Sequence, residues 1–156
     1  MFKKIALILS LLLILSSCGS TAMESVTSKQ GFQISYPTGW TLTDTGDAIS
    51  FIDKKTKTII VASKSVIQTP KSDQEIIDWY KTNGSVENSG KILFGTRDAT
   101  FVEFTNTYGK LSYFHKDAWT MKSGNIYTVG CTINSDSVSD MKDVCTKVME
   151  SLIIPD

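Results

Sequence analysis

Alternation is the feature that most restricts what this chain can become. Phe32, Ile34 and Tyr36 are interleaved with Gln33 and Ser35, Ile49 and Phe51 flank Ser50, and Tyr127, Val129, Cys131 and Ile133 occupy every second position. Side chains two apart on an extended strand project to one side, so each run describes a strand with an apolar face and a wetter one. Turn chemistry separates the runs. Pro37-Thr38-Gly39 and Asp44-Thr45-Gly46-Asp47 interrupt the first group, and the β-branched stretch 58–66 closes it, which predicts a meander of four strands over 31–66. Later strand signals at 92–94, 99–105, 111–121 and 126–133 are divided by Gly95-Thr96-Arg97-Asp98, Tyr108-Gly109 and Ser123-Gly124-Asn125. Such short glycine and asparagine turns predict consecutive antiparallel strands.

The period changes twice. Ser72-Asp73-Gln74-Glu75 has the spacing of a capping box, in which a serine caps the helix and a glutamate three residues on reaches back to its amide. Ile76, Ile77 and Tyr80 then form a helical face and Asn83-Gly84 supplies a stop, so a short helix is expected over 73–82. A second helix is expected from Val138, Met141, Val144, Cys145, Val148 and Leu152, which recur at three- and four-residue spacing, with Pro155 ending it. Four strands, a helix, four strands and a helix make an α+β domain: a mainly antiparallel sheet flanked by helices.

The N-terminus has a different character. Lys3 and Lys4 precede an apolar run over 5–15 broken only by Ser10, the charged and greasy parts of an export signal. A membrane-spanning helix needs about 20 apolar residues, so this shorter run is expected to be removed rather than retained as an anchor. Leu15-Ser16-Ser17-Cys18 resembles the lipobox of bacterial lipoproteins. That resemblance implies cleavage before Cys18, a diacylglycerol on its thiol, palmitate-containing acyl chains, and a location on the extracytoplasmic face of a bacterial membrane. The expected organisation is a lipoprotein signal peptide over 1–17, a lipidated N-terminus and flexible tether over 18–30, and the α+β domain over 31–156.

Charge narrows the partners. The chain holds 16 basic and 16 acidic residues, and loss of Lys3 and Lys4 with the leader would tip the remainder slightly acidic. Nothing in that balance attracts nucleic acid. The lysines of 54–71 are read as solvated turns and a protected strand edge rather than a lipid-headgroup patch.

Candidate chemistry is sparse because there is one histidine, His115. His115 and Asp117 share one side of a strand, the start of an acid/base pair or a metal site, but a zinc set would need further ligands that the sequence does not supply. No catalytic residue, metal or cofactor is therefore assigned. Asp44-Thr45-Gly46 matches the Asp-Thr-Gly of aspartic proteases, yet it lies between two strands where an ordinary turn is expected. Cys131 and Cys145 lie on the apolar faces of adjoining elements. They are either two separate buried thiols or, in an exported protein, a disulfide.

The opening Gly31-Phe32-Gln33-Ile34-Ser35-Tyr36-Pro37-Thr38-Gly39-Trp40 resembles the PsbP-like family, whose domains often begin with a strand, a Tyr-Pro-x-Gly-Trp turn and a second strand. The resemblance extends through the element order to the closing helix. It implies an α/β/α sandwich around an antiparallel sheet and a mostly non-enzymatic, accessory role. The resulting expectation is a lipid-anchored binding or accessory module with a protein partner at the membrane; the alternative is a small extracytoplasmic hydrolase or metal-dependent enzyme using His115 and Asp117.

Overall fold

A computed structural model describes residues 21–69 and 71–156 of the chain. The proposed signal peptide and Cys18 lie outside the described residues. Among the described residues, nine strands and two α-helices follow in the order β1 (Met23–Thr27), β2 (Gln33–Pro37), β3 (Thr41–Asp44), β4 (Ala48–Asp53), β5 (Thr58–Val66), α1 (Asp73–Asn83), β6 (Val86–Phe94), β7 (Arg97–Tyr108), β8 (Leu111–Lys122), β9 (Asn125–Asn134) and α2 (Val138–Glu150). Strands β3 to β9 form one sheet in the spatial order β3-β4-β5-β9-β8-β7-β6, and β1 and β2 form a separate hairpin. Every pairing is antiparallel.

The expected α+β fold is the one observed, but its start differs. Residues 18–30 were expected to be a tether, whereas Met23–Thr27 pair along their whole length with Gln33–Pro37. The physical reason is that β1 is held by backbone bonding to β2 and buries little: Val26 alone is half-buried, so no apolar alternation announces it. Strand β6 likewise begins at Val86 rather than Ile92, because its first half is a mostly exposed sheet edge. Helix α2 ends at Glu150, ahead of Pro155; Ile153 has already turned back to bridge Gln33.

Two faces of the sheet follow from register. Phe51, Ile60, Cys131 and Lys116 lie side by side across β4, β5, β9 and β8, and their neighbours Ile49, Ala62, Val129 and Ala118 form the next row. This face meets α2, which contributes Met141, Cys145, Val148 and Met149 to the core, and the β1–β2 hairpin, which contributes Phe32 and Ile34. Tyr36 stacks on Phe51 at 4.7 Å, and Phe32 meets Tyr127 edge-on at 6.5 Å. The Tyr-Pro-Thr-Gly-Trp turn closes with Trp40 N–H donating to the Pro37 carbonyl, and Gly39 at φ +87° supplies the left-handed step that a β-branched residue resists. Trp40 is half-buried and packs against the core.

Cys131 on β9 and Cys145 on α2 are joined as a disulfide, with Cα atoms 6.1 Å apart. The bridge fastens the closing helix to the centre of the sheet. A disulfide of this kind persists in oxidising compartments outside the cytosol, which favours an extracytoplasmic location.

Candidate functional site

Helix α1 crosses the opposite face. Its capping box is formed: Ser72 Oγ accepts from the Glu75 amide at 3.2 Å, and Glu75 Oε2 accepts from the Ser72 amide at 2.7 Å. None of its residues is fully buried. It is fixed to the sheet by polar bonds and by the Tyr80 ring, which stacks on Trp119 at 6.0 Å and tilts against Phe104 at 5.5 Å. Asp73, in the first turn, accepts from Lys91 Nζ at 2.7 Å and Trp119 Nε1 at 3.0 Å and from the Thr100 hydroxyl. Those donors together hold the Asp73 carboxyl below its ordinary value even though burial pushes the other way. Two turns later, the Tyr80 hydroxyl donates to Asp117 Oδ2 at 2.8 Å.

Asp117 sits in a row that runs Ser50, Val61, Gly130, Asp117, Val102 across five strands. Gly130 has a specific reason to lack a side chain: a Cβ there would lie 2.8 Å from Asp117 Oδ1. Burial raises the Asp117 carboxyl above its usual value, with the Tyr80 bond opposing, and the Tyr80 phenol is itself raised by burial and by the neighbouring carboxylate. No Lys or Arg among the described residues forms an ion pair with Asp117.

His115 occupies the next row, beside Thr132 of β9 and Phe104 of β7. Its Nδ1 lies 3.1 Å from the Thr132 hydroxyl, its ring stacks on Phe104 at 4.8 Å, and its buried Nε2 has no partner among the described residues. Burial lowers its pKa from 6.5, so the ring is neutral at pH 7. His115 and Asp117 therefore share a face, as their spacing requires, but they bond to different partners. Among the described residues there is no cluster of three His, Cys, Asp or Glu side chains able to hold a metal.

Tyr80 and Asp117 separate two shallow clefts. One, of about 300 Å³, is lined by Trp79, Tyr80, Asn83, Phe104, Asn106 and Asp117 among others. The second, about 270 Å³, runs past Tyr80 and Asp117 to Val61, Thr128 and Gly130 on the half of the sheet that α1 leaves uncovered. Ile59 and Val61 on β5 remain 39% exposed there, and Trp79 on α1 is 56% exposed. The expected strand face of His115 and Asp117 was readable from spacing; Tyr80, Trp79 and Gly130 were missed as parts of this site. The remaining candidates fall elsewhere. Asp44 closes its own turn, accepting from the Gly46 amide at 2.8 Å and the Lys29 amide at 2.8 Å, so the Asp-Thr-Gly tripeptide is structural. Lys54, Lys55 and Lys57 are exposed around the β4–β5 turn.

The architecture has solved counterparts. The solution structure of cyanobacterial PsbP (CyanoP) from Synechocystis sp. PCC 6803 superposes with a TM-score of 0.66, covering 89% of this chain and 96% of that one at 15% identity. The fold is PsbP-like. The same PsbP-like fold appears in LpqN of Mycobacterium tuberculosis, described as involved in cell envelope biogenesis, with TM-score 0.56, 86% of each chain covered and 13% identity. It appears again in the Saccharomyces cerevisiae Ran-binding protein Mog1p, with TM-score 0.59, 88% of this chain and 97% of that one covered, and 11% identity. At such identities the likeness is one of fold, and function is argued from the site. No family profile matches the sequence, and no curated protein matches it.

Proposed function

We propose that the chain is a lipid-anchored extracytoplasmic binding module that supports a membrane-associated complex, held by lipid on Cys18 and meeting its partner with the α1 side of the sheet. The observation that carries the binding reading is the half-open face: exposed Val61 and Trp79 line two clefts that share Tyr80 and Asp117, and Ile59 is exposed on the same side of β5 as Val61. Support for the location comes from the Cys131–Cys145 bridge and from the Leu-Ser-Ser-Cys stretch. The appearance of the fold in a mycobacterial protein described as involved in cell envelope biogenesis agrees with an envelope role. Tethering would act by raising the module's effective concentration at the membrane, with no chemistry required. His115 bonded to Thr132 and Asp117 bonded to Tyr80 suit positioning and binding better than proton transfer between the two.

Two experiments test this. Cell fractionation with labelled palmitate should show the wild-type protein labelled and membrane-bound and Cys18→Ala released and unlabelled; a labelled, membrane-bound Cys18→Ala protein would refute the anchor. Photocrosslinkers placed at Val61 and Trp79 in intact cells should give a reproducible adduct that is missing from Lys147 on the outer side of α2. Adducts from Lys147 alone would refute the assigned face.

A further inference from the structure

The strongest unexplained feature of the α1 side is a carboxylate without a countercharge. Asp117 is half-buried, yet among the described residues it makes one side-chain hydrogen bond, from the neutral phenol of Tyr80 to Oδ2, while Oδ1 accepts none. A buried carboxylate is ordinarily matched by a cation. The nearest ionisable group on its own strand, His115, is neutral at pH 7, and Lys116 points to the other face, where it pairs with Glu103 at 3.3 Å.

The cleft beside Asp117 supplies the remaining parts of a cation site. Asn83 spends its amide nitrogen on the Trp79 carbonyl at 2.8 Å, which leaves its oxygen free to accept. Asn106, half-buried on β7, makes no side-chain hydrogen bond among the described residues. With Asp117 these give three acceptors at one cleft, the number of donors on a primary ammonium. The other walls are aromatic: Trp79 meets Tyr80 edge-on at 5.1 Å, and Tyr80 meets Phe104 at 5.5 Å. Aromatic walls beside a carboxylate attract an organic cation and shelter its alkyl stem. A bare metal ion would gain little from them, and its multi-carboxylate ligand set is missing among the described residues. At about 300 Å³ the cleft is at the small end of the range for ligand pockets.

We propose that this cleft binds a primary alkylammonium, with Asp117, Asn83 and Asn106 accepting from the –NH3+ group and Trp79, Tyr80 and Phe104 enclosing the carbon chain. The proposal rests on the binding-module reading and names the chemistry of one ligand for that face. A soluble amine and the ethanolamine headgroup of a lipid share this chemistry.

The test is a titration of the purified full-length protein in nonionic detergent with n-butylammonium chloride, read by the indole N–H resonance of Trp79. A saturable shift is expected, with none from sodium chloride or from n-butanol, the uncharged analogue. Asp117→Asn keeps the shape and an acceptor for Tyr80, and should weaken binding about tenfold. Trp79→Ala, at an exposed position, should weaken binding without unfolding the protein, followed by the Asn106 side-chain amide resonances. Nanodiscs of phosphatidylethanolamine against phosphatidylglycerol separate the sources: a shift with the former assigns the ligand to lipid, and a shift with free amine alone assigns it to a soluble molecule. Equal responses to butylammonium and butanol, or an unweakened Asp117→Asn protein, would overturn the proposal. Such a failure alongside intact Cys18-dependent anchoring and Val61 crosslinks would remove the ligand class and leave the binding-module reading standing.

Discussion

The face of the sheet under α2 and the face under α1 are made from the same strands, yet they are closed in different ways. Under α2, Phe51, Ile60, Val129 and Ile133 are fully buried, α2 adds Cys145, Val148 and Met149, and a disulfide crosses the contact. Under α1 the helix buries no residue completely and is fixed by Asp73 to Trp119, Thr100 and Lys91, by Tyr80 to Asp117, and by one aromatic contact, the half-buried Tyr80 ring on Trp119 and Phe104. Apolar burial is strong and needs no exact geometry, whereas a polar attachment contributes little net free energy but fixes position. One face can therefore hold the fold while the other is left half-open to bind.

The largest difference between the faces should appear on truncation. Phe51→Ala is expected to cost about 3–5 kcal/mol in urea unfolding, while Val61→Ala, on the open half, should stay within about 0.5 kcal/mol. Comparable losses at the two positions would erase the distinction. Next in size is the bridge. Cys131 and Cys145 are 14 residues apart, and reducing the bridge should lower stability by about 3 kcal/mol on the chain-entropy account, while replacing both by serine should cost more because two hydroxyls enter the core.

A smaller effect sharpens the comparison within the α1 face. Gly130→Ala drives a methyl toward Asp117 Oδ1 and should cost about 1–3 kcal/mol. In an Asp117→Ala background that penalty should largely vanish, since the group it strikes is gone. Additive losses would mean that Gly130 serves something other than the carboxylate.

The smallest effects are pH-dependent and run in both directions. His115 has its folded-state pKa depressed below 6.5, so protonation favours the unfolded chain and stability should fall as pH drops through 6.5 toward the folded value; His115→Gln should flatten that limb. Asp117 is raised above 3.8, so its ionisation weighs against folding at neutral pH, and Asp117→Asn should relieve it. Asp73 is lowered, so its contribution is present above 3.8 and lost only as pH falls below that toward its folded value. Urea midpoints measured between pH 3 and 8 would separate the three.

Much of the α2 face was legible in the sequence because apolar periodicity reports burial. The alternation at Tyr127, Val129, Cys131 and Ile133 and the helical spacing of Met141, Cys145 and Val148 name the two surfaces that meet. The capping box was legible for a local reason, since Ser72 and Glu75 need only each other. The α1 site was not. Tyr80 and Asp117 are 37 residues apart and meet only through the docking of a helix whose apolar content is modest. Gly130 gave no signal either, because its meaning depends on the register that sets it beside Asp117. Strand β1 escaped notice because exposed backbone pairing leaves no hydrophobic period to read.

Native-state hydrogen exchange with urea tests the division of labour between the faces most directly. Amides of Ile77 to Tyr80 in α1 should exchange through local openings of low free energy that respond weakly to urea, while those of Cys145 to Met149 in α2 should exchange only through global unfolding. Equal protection of the two helices, converging on one urea-dependent free energy, would contradict the account.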